Sequence, residues 1–272
     1  MSLLFLRLAL LLYSVGLLHS FLTIITRKRR IFRIALASIL VGFINHSMSI
    51  FFAWQETGHP PITNLQEALS FFSFVVVFAF VVAYLRYQMT SLSVFVFPLV
   101  FLMTLASSLI IPEELPRREL LKSVWFYLHI PVVFLAYAAL FLAFAVGIMY
   151  LIQENELKRK RPQAFYYRLP SLEVCDELGY RALSVGFLLL TFGLISGGFW
   201  ARQVLVGAWQ WDPKIVFAFF IWLTYAVVVH YRFAAGLRGR KAAILSIAAF
   251  VLVLLNFLLL RSQGLAHRFI LP

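Results

Sequence analysis

The side chains best suited to chemistry in this sequence are tryptophans and histidines. Trp200, Trp209 and Trp211 fall within twelve residues, and the run closes with Asp212-Pro213-Lys214. Adjacent indoles make a flat apolar platform for a planar aromatic ligand. The spacing of Trp209 and Trp211 puts both rings on one side of an extended stretch. One tryptophan at a membrane surface needs no ligand to explain it, but three in this pattern point to a site. Six histidines, His19, His46, His59, His129, His230 and His267, supply neutral nitrogen ligands. Cys175 is the one cysteine, so a Cys-x-x-Cys redox pair and an internal disulfide are both excluded. It reads as an inert thiol in a loop.

The elements that must position these residues follow from composition. The chain has 272 residues, 62% of them hydrophobic and 13% charged. That balance cannot cover a water-facing surface. The apolar residues form eight runs, at 3–25, 32–53, 68–84, 94–111, 124–152, 182–200, 215–231 and 242–260. Each approaches the roughly 20 residues that span a bilayer. Helices satisfy their own backbone in lipid, and the runs do not alternate as barrel strands would. The expected fold is all-α: a polytopic transmembrane bundle of eight helices, with residues 1–272 as one integral membrane domain. The first run lacks a small-residue cleavage site and its basic cluster follows it, so it reads as a retained helix.

Charge placement sets the orientation. Of the 24 lysines and arginines, sixteen lie on the side of Arg27-Lys28-Arg29-Arg30 and eight on the other. The basic side is inside by the positive-inside rule, which gives N-out and C-out. The net charge of +13 is then an orientation signal with some attraction to anionic lipid, and implies no nucleic acid.

Topology sorts the histidines. His129 falls at the outer end of the fifth run and His267 just beyond the outer end of the eighth. The Trp-rich segment 200–214 joins the sixth and seventh runs on the same side. Two neutral imidazoles flanking an aromatic platform describe a haem site, with His129 and His267 as axial ligands of the iron. A bare metal site fits less well, because no Cys, Asp or Glu accompanies the pair at ligand spacing. His230 and His19 sit at comparable depth toward the inside. They form either a second, inner haem site or hydrogen bonds to neighbouring helices. His46 is mid-membrane, a packing or hydrogen-bonding residue, and His59 lies in a Gly-His-Pro-Pro turn. The inside segment 153–180 carries Pro162 and Pro170, and its Leu169-Pro170-Ser171-Leu172-Glu173 stretch is expected to be a solvated loop at the headgroups, the alternative being the start of an amphipathic helix. No acidic residue lies inside a span, which argues against a proton-coupled solute transporter.

Several stretches follow one another along the chain: Gly58-His59-Pro60-Pro61 with Asn64 and Glu67; Leu128-His129; Leu169-Pro170-Ser171-Leu172-Glu173 with Tyr180-Arg181; Trp200-Ala201; Gly207-Ala208-Trp209-Gln210-Trp211-Asp212-Pro213-Lys214; Ile221-Trp222-Leu223-Thr224-Tyr225-Ala226; His230-Tyr231-Arg232; and Asn256 with Gly264-Leu265 and His267. From about residue 50 to the C-terminus this pattern resembles the cytochrome c assembly protein superfamily, the CcsA/ResC, CcmC and HemX-like membrane proteins marked by a Trp-rich WWD segment between two outward-facing histidines. The chain departs from the family pattern at Leu205-Val206, at Ile215-Val216-Phe217, and by one residue inserted in Gly264-Leu265-Ala266-His267.

The resemblance implies a CcsA-like protein that presents b-type haem, as cargo or cofactor, to an apocytochrome c on the outer face of the bacterial cytoplasmic membrane. It would be the haem-delivery component of a cytochrome c synthase system, with a CcsB/ResB-like partner. His129 and His267 would be axial ligands, Trp200, Trp209 and Trp211 would pack the macrocycle, and Asp212 would be a polar anchor. Arg202 and Lys214 are placed to pair with propionates. His230 corresponds to a membrane histidine of the CcsA proteins. The alternatives are a HemX-like regulator of haem biosynthesis and, more remotely, a small-solute transporter.

Overall fold

The computed structural model describes residues 1–26, 28–111, 123–159, 167–204 and 212–262. Among them are eight α-helices and no strand: α1 (Ser2–Thr26), α2 (Arg29–Thr57), α3 (Leu65–Tyr87), α4 (Leu92–Leu109), α5 (Val124–Lys158), α6 (Leu172–Val204), α7 (Pro213–Ala234) and α8 (Arg240–Ser262). In α1 to α7 the described residues are long and apolar enough to cross a membrane, so the chain is a multi-pass membrane protein.

Each expected run has its helix, but α5 and α6 extend beyond their apolar runs into polar sequence. α5 continues to Lys158, where Lys158 and Glu154 form an i, i+4 ion pair at 2.7 Å. α6 begins at Leu172, ten residues before the apolar run starts. Ser171 Oγ accepts from the Val174 N–H at 3.4 Å, Glu173 sits in the first turn, and Glu177 pairs with Arg181 at 2.6 Å. The stretch expected as a solvated loop is therefore the capped start of a helix, and Cys175 is buried on that helix. Capping and i, i+4 pairs carry helices past the apolar core, and hydropathy does not register them.

The chain packs as two compact units, Met1–Glu114 with Ile152–Val174, and Leu115–Leu151 with Cys175–Pro272. In the first, α1 and α2 approach closely through glycines. A Cβ on Gly16 would lie 2.8 Å from Ile39, and one on Gly42 would lie 2.8 Å from Tyr13. A buried polar chain ties the four helices. His46 is fully buried, with Nδ1 3.3 Å from Tyr13 Oη and Nε2 3.0 Å from Ser70 Oγ. Thr104 Oγ1 reaches Ser73 Oγ at 3.1 Å, and Phe80 stands edge-on to Phe97. The expected hydrogen-bonding role of His46 is thus realised between α1, α2 and α3. Between α2 and α3, Gly58 adopts φ 74° and donates its N–H to Trp54. His59 Nδ1 lies 3.1 Å from the Pro60 carbonyl oxygen in the turn that follows.

In the second unit α5 is the central helix. It packs antiparallel to α6 in a constant register. Leu140 lies against Gly186, Val133 against Gly193 and His129 against Gly197, where added Cβ atoms would sit 2.6, 2.7 and 2.6 Å from the facing side chain. Ser123 Oγ bonds Gln203 Oε1 at 2.7 Å in the same register. α8 lies along α5 through Gly147 and Phe250, and α7 joins α6 through a Trp222 Nε1 to Thr191 Oγ1 bond of 2.9 Å. At the other end Arg232 is buried against Asp176 at 3.2 Å and over the Tyr180 ring at 5.2 Å.

Candidate functional site

The site begins with a choice of residue size. Gly193 and Gly197 are four apart on α6 and bare one side of it, so the α5 backbone comes close, as small-x-x-x-small pairs allow in membranes. His129, in the second turn of α5, lies against that bare strip. Its Nδ1 stands 2.8 Å from the Gly193 carbonyl oxygen. A carbonyl only accepts, so Nδ1 carries the proton and Nε2 keeps its lone pair. Ser196 Oγ also donates to Gly193 O at 3.0 Å and lies 3.5 Å from the ring, which holds the imidazole in place. Nothing in the sequence-based reading singled out Gly193, Ser196 or Gly197. The Gly-x-x-x-Gly spacing inside an apolar run was the signal that could have found them.

Trp200 follows on the next turn of α6. Its ring is 5.9 Å from that of His129, tilted by 32°, and meets Phe126 at 5.4 Å. Trp125 stacks on Phe199 at 4.6 Å just outside. Beside them lies a cavity of about 180 Å³ lined by His129, Gly193, Gly197, Gly198, Trp200 and Lys214, among others. Apart from His129 and Lys214 the walls are mostly apolar, so a half-buried ammonium and an oriented imidazole share one small space.

Asp212 is the N-cap of α7. Its Oδ1 accepts from the Lys214 N–H at 2.9 Å, and Pro213 occupies the first turn. That combination starts a helix efficiently. It also places Lys214 at the cavity. Arg202 is exposed at the end of α6. The structure therefore brings together His129, Trp200 and Lys214, with Asp212 behind Lys214. Trp209, Trp211 and His267 lie outside the described residues. His230 is exposed on α7 beside a shallow hollow formed with Ala226 and Tyr231. His19 belongs to the first unit, where its Nδ1 donates to the Val15 carbonyl at 2.8 Å. His19 and His230 thus stand in different units.

The donor set fits a haem better than a bare ion. Among the described residues no group of three His, Cys, Asp or Glu could hold a metal. A single oriented imidazole, an indole and a cation match a metallated, planar, carboxylated ligand. The cavity, at about 180 Å³, is smaller than the roughly 300 Å³ at which ligand pockets begin, so the described residues alone would meet only an edge of a macrocycle.

Residues 62–267 match the family model described as Cytochrome C assembly protein. The chain is 31% identical over 255 residues to a protein named Cytochrome c biogenesis protein CcsA from Prochlorococcus marinus strain MIT 9301, covering 85% of this chain and 82% of the relative. A protein of the same name from strain NATL1A is 32% identical over 238 residues, covering 75% and 74%.

Proposed function

Because the chain belongs to the cytochrome c assembly protein family, we propose that it is a cytochrome c biogenesis protein of the bacterial cytoplasmic membrane, which holds haem at the outer end of its second unit and presents it to an apocytochrome c. The observation that carries this reading is the state of His129. With Nδ1–H committed to Gly193, the ring is fixed in one tautomer and offers Nε2 to an iron. Metal-binding histidines are held by just this kind of second hydrogen bond.

The other residues supply orientation and shielding. Trp200 packs against the macrocycle and keeps water from the imidazole. Lys214 meets a propionate, and Asp212 acts by fixing the helix start that carries Lys214. Arg202, exposed nearby, takes the second propionate. Trp209, Trp211 and the second axial ligand His267 enter this reading from the sequence alone. Bound b-type haem would supply the iron and the vinyl groups that become thioethers. The thiols come from the apocytochrome, in keeping with a lone, buried Cys175. His230 is exposed on α7 and open to a partner chain, for which a CcsB/ResB-like membrane protein is the expectation.

The purified protein is expected to carry or take up haem with a bis-imidazole absorption spectrum. His129→Ala should lower haem retention, and free imidazole should partly restore it. A preparation that binds no added haem refutes the reading, and an unaffected His129→Ala protein removes His129 from the site.

A further inference from the structure

We propose that the end of the first unit where α1 finishes and α4 begins is a binding site for the phosphate headgroup of an anionic phospholipid. A cavity of about 530 Å³ lies there, lined by Arg33, Arg168, Thr23, Thr90, Ser91 and Tyr84 among others. No carboxylate is among the described lining residues. The cavity is thus rich in donors and has no internal counter-charge.

Two features separate it from the ordinary basic fringe of a membrane protein. Arg168 is anchored, its Nη2 donating to the Ile25 carbonyl at 3.2 Å at the end of α1, while its Nε is buried with no hydrogen-bond partner. A snorkelling arginine leaves its guanidinium in water. This one is held with a desolvated N–H still to satisfy, which costs free energy unless an acceptor arrives. Ser91 is only 3% exposed, lines the same cavity, and makes no capping bond although it precedes α4. The 18-residue α4 brings the positive end of its dipole to this cavity, with its Leu92 and Val94 N–H groups bonded to the Met89 and Ser91 carbonyls at 3.2 Å. Two guanidiniums, hydroxyls and a helix N-terminus are the donor set that phosphate oxygens select.

The lipid source follows from position. The cavity is lined by Arg33 of α2, on the side that charge bias assigns to the inside. Basic hollows between helices on that side recruit anionic headgroups. Phe32 and Tyr84, tilted on each other at 5.5 Å, give the cavity an apolar flank for the glycerol and upper acyl carbons.

The test uses the whole protein in phosphatidylcholine nanodiscs, titrated with spin-labelled phosphatidylglycerol. Phosphatidylglycerol should bind in preference to phosphatidylcholine. Arg168→Gln and Arg33→Gln should each weaken it at least about tenfold, the size of a lost charge-assisted bond. Arg238→Gln, which removes an exposed arginine from the segment between α7 and α8, should leave it unchanged. Ser91→Ala leaves the Arg168 anchor intact and should weaken binding several-fold, so the idea stays testable if Arg168→Gln does not fold. Equal effects of all three arginine variants, or none, would mean general surface charge only and would overturn the proposal. Displacement of the lipid by glycerol phosphate at equal concentration would overturn the lipid assignment in favour of a soluble phosphate.

Discussion

Adding one carbon at Gly197 should disable the proposed haem site, while the same change at Gly179 on the same helix should not. A Cβ at residue 197 would sit 2.6 Å from His129 Cε1, 2.9 Å from Nδ1 and 3.4 Å from Nε2. Ordinary contacts between heavy atoms are about 3.5–4.0 Å, so the imidazole has to retreat by about 1 Å. Its bond to Gly193 O, now 2.8 Å, then passes the roughly 3.2 Å limit of a useful hydrogen bond. Overpacking costs about 1–3 kcal/mol and the lost bond about 1 kcal/mol. Replacing glycine in a helix returns about 1 kcal/mol. The net is a loss of about 1–3 kcal/mol in stability, and haem affinity should drop by about tenfold for each 1.4 kcal/mol lost from the axial bond. A Cβ at Gly179, on the same helix but away from the cavity, would make only an ordinary contact with Val146 at 3.9 Å. Gly179→Ala should therefore leave haem binding alone and stabilise α6 by up to about 1 kcal/mol. Haem titration and detergent denaturation of the two variants decide the matter. If Gly197→Ala retains haem as the parent does, or if both variants lose it equally, the close approach of His129 to α6 does not set the ligand geometry and the argument fails.

Two further outcomes follow from the second unit. Arg232→Ala should destabilise the protein by about 1–3 kcal/mol, because it removes the cation from Asp176, which keeps only its bond from the Gly239 N–H at 3.0 Å; pairing it with Asp176→Asn should recover part of the loss in the same denaturation series. Asp212→Ser should keep the α7 cap and hold haem affinity within about twofold, whereas Asp212→Ala should lose about 1 kcal/mol of stability. A large affinity loss in Asp212→Ser would show that the carboxylate itself touches the ligand.

The helices were legible because lipid imposes a single, strong requirement, long apolar runs, and that requirement is written residue by residue. Their ends were not, since the starts and stops of α5 and α6 are set by Ser171, Glu154–Lys158 and Glu177–Arg181, local polar bonds that leave the apolar pattern untouched. The candidate site divides along the same line. His129 stands out as a residue type that lipid tolerates poorly, Trp200 by its clustering with Trp209 and Trp211, and Lys214 by its charge at the end of that segment. Gly193 and Gly197 did not, because a glycine in an apolar run carries no chemical label. Their contribution is an absence of atoms, visible only once α5 is laid against α6.

That absence explains why the site lies where it does. A histidine in lipid is expensive unless both ring nitrogens have work. His46 solves this within the first unit by bonding Tyr13 and Ser70 with its two nitrogens, and is thereby spent. His129 has the same need, yet the glycine strip presents a backbone carbonyl to Nδ1 alone and leaves a small cavity beside the ring. One nitrogen is satisfied by the fold, and on the proposed reading the other is left for a ligand. The two histidines thus occupy similar surroundings with opposite outcomes, and the difference is whether the facing helix offers side-chain hydroxyls or bare backbone. By this logic the ligand is part of what stabilises α5 against α6, and haem should raise the unfolding temperature of the parent protein but not of His129→Ala. An equal rise in both would mean that the stabilising contacts lie elsewhere.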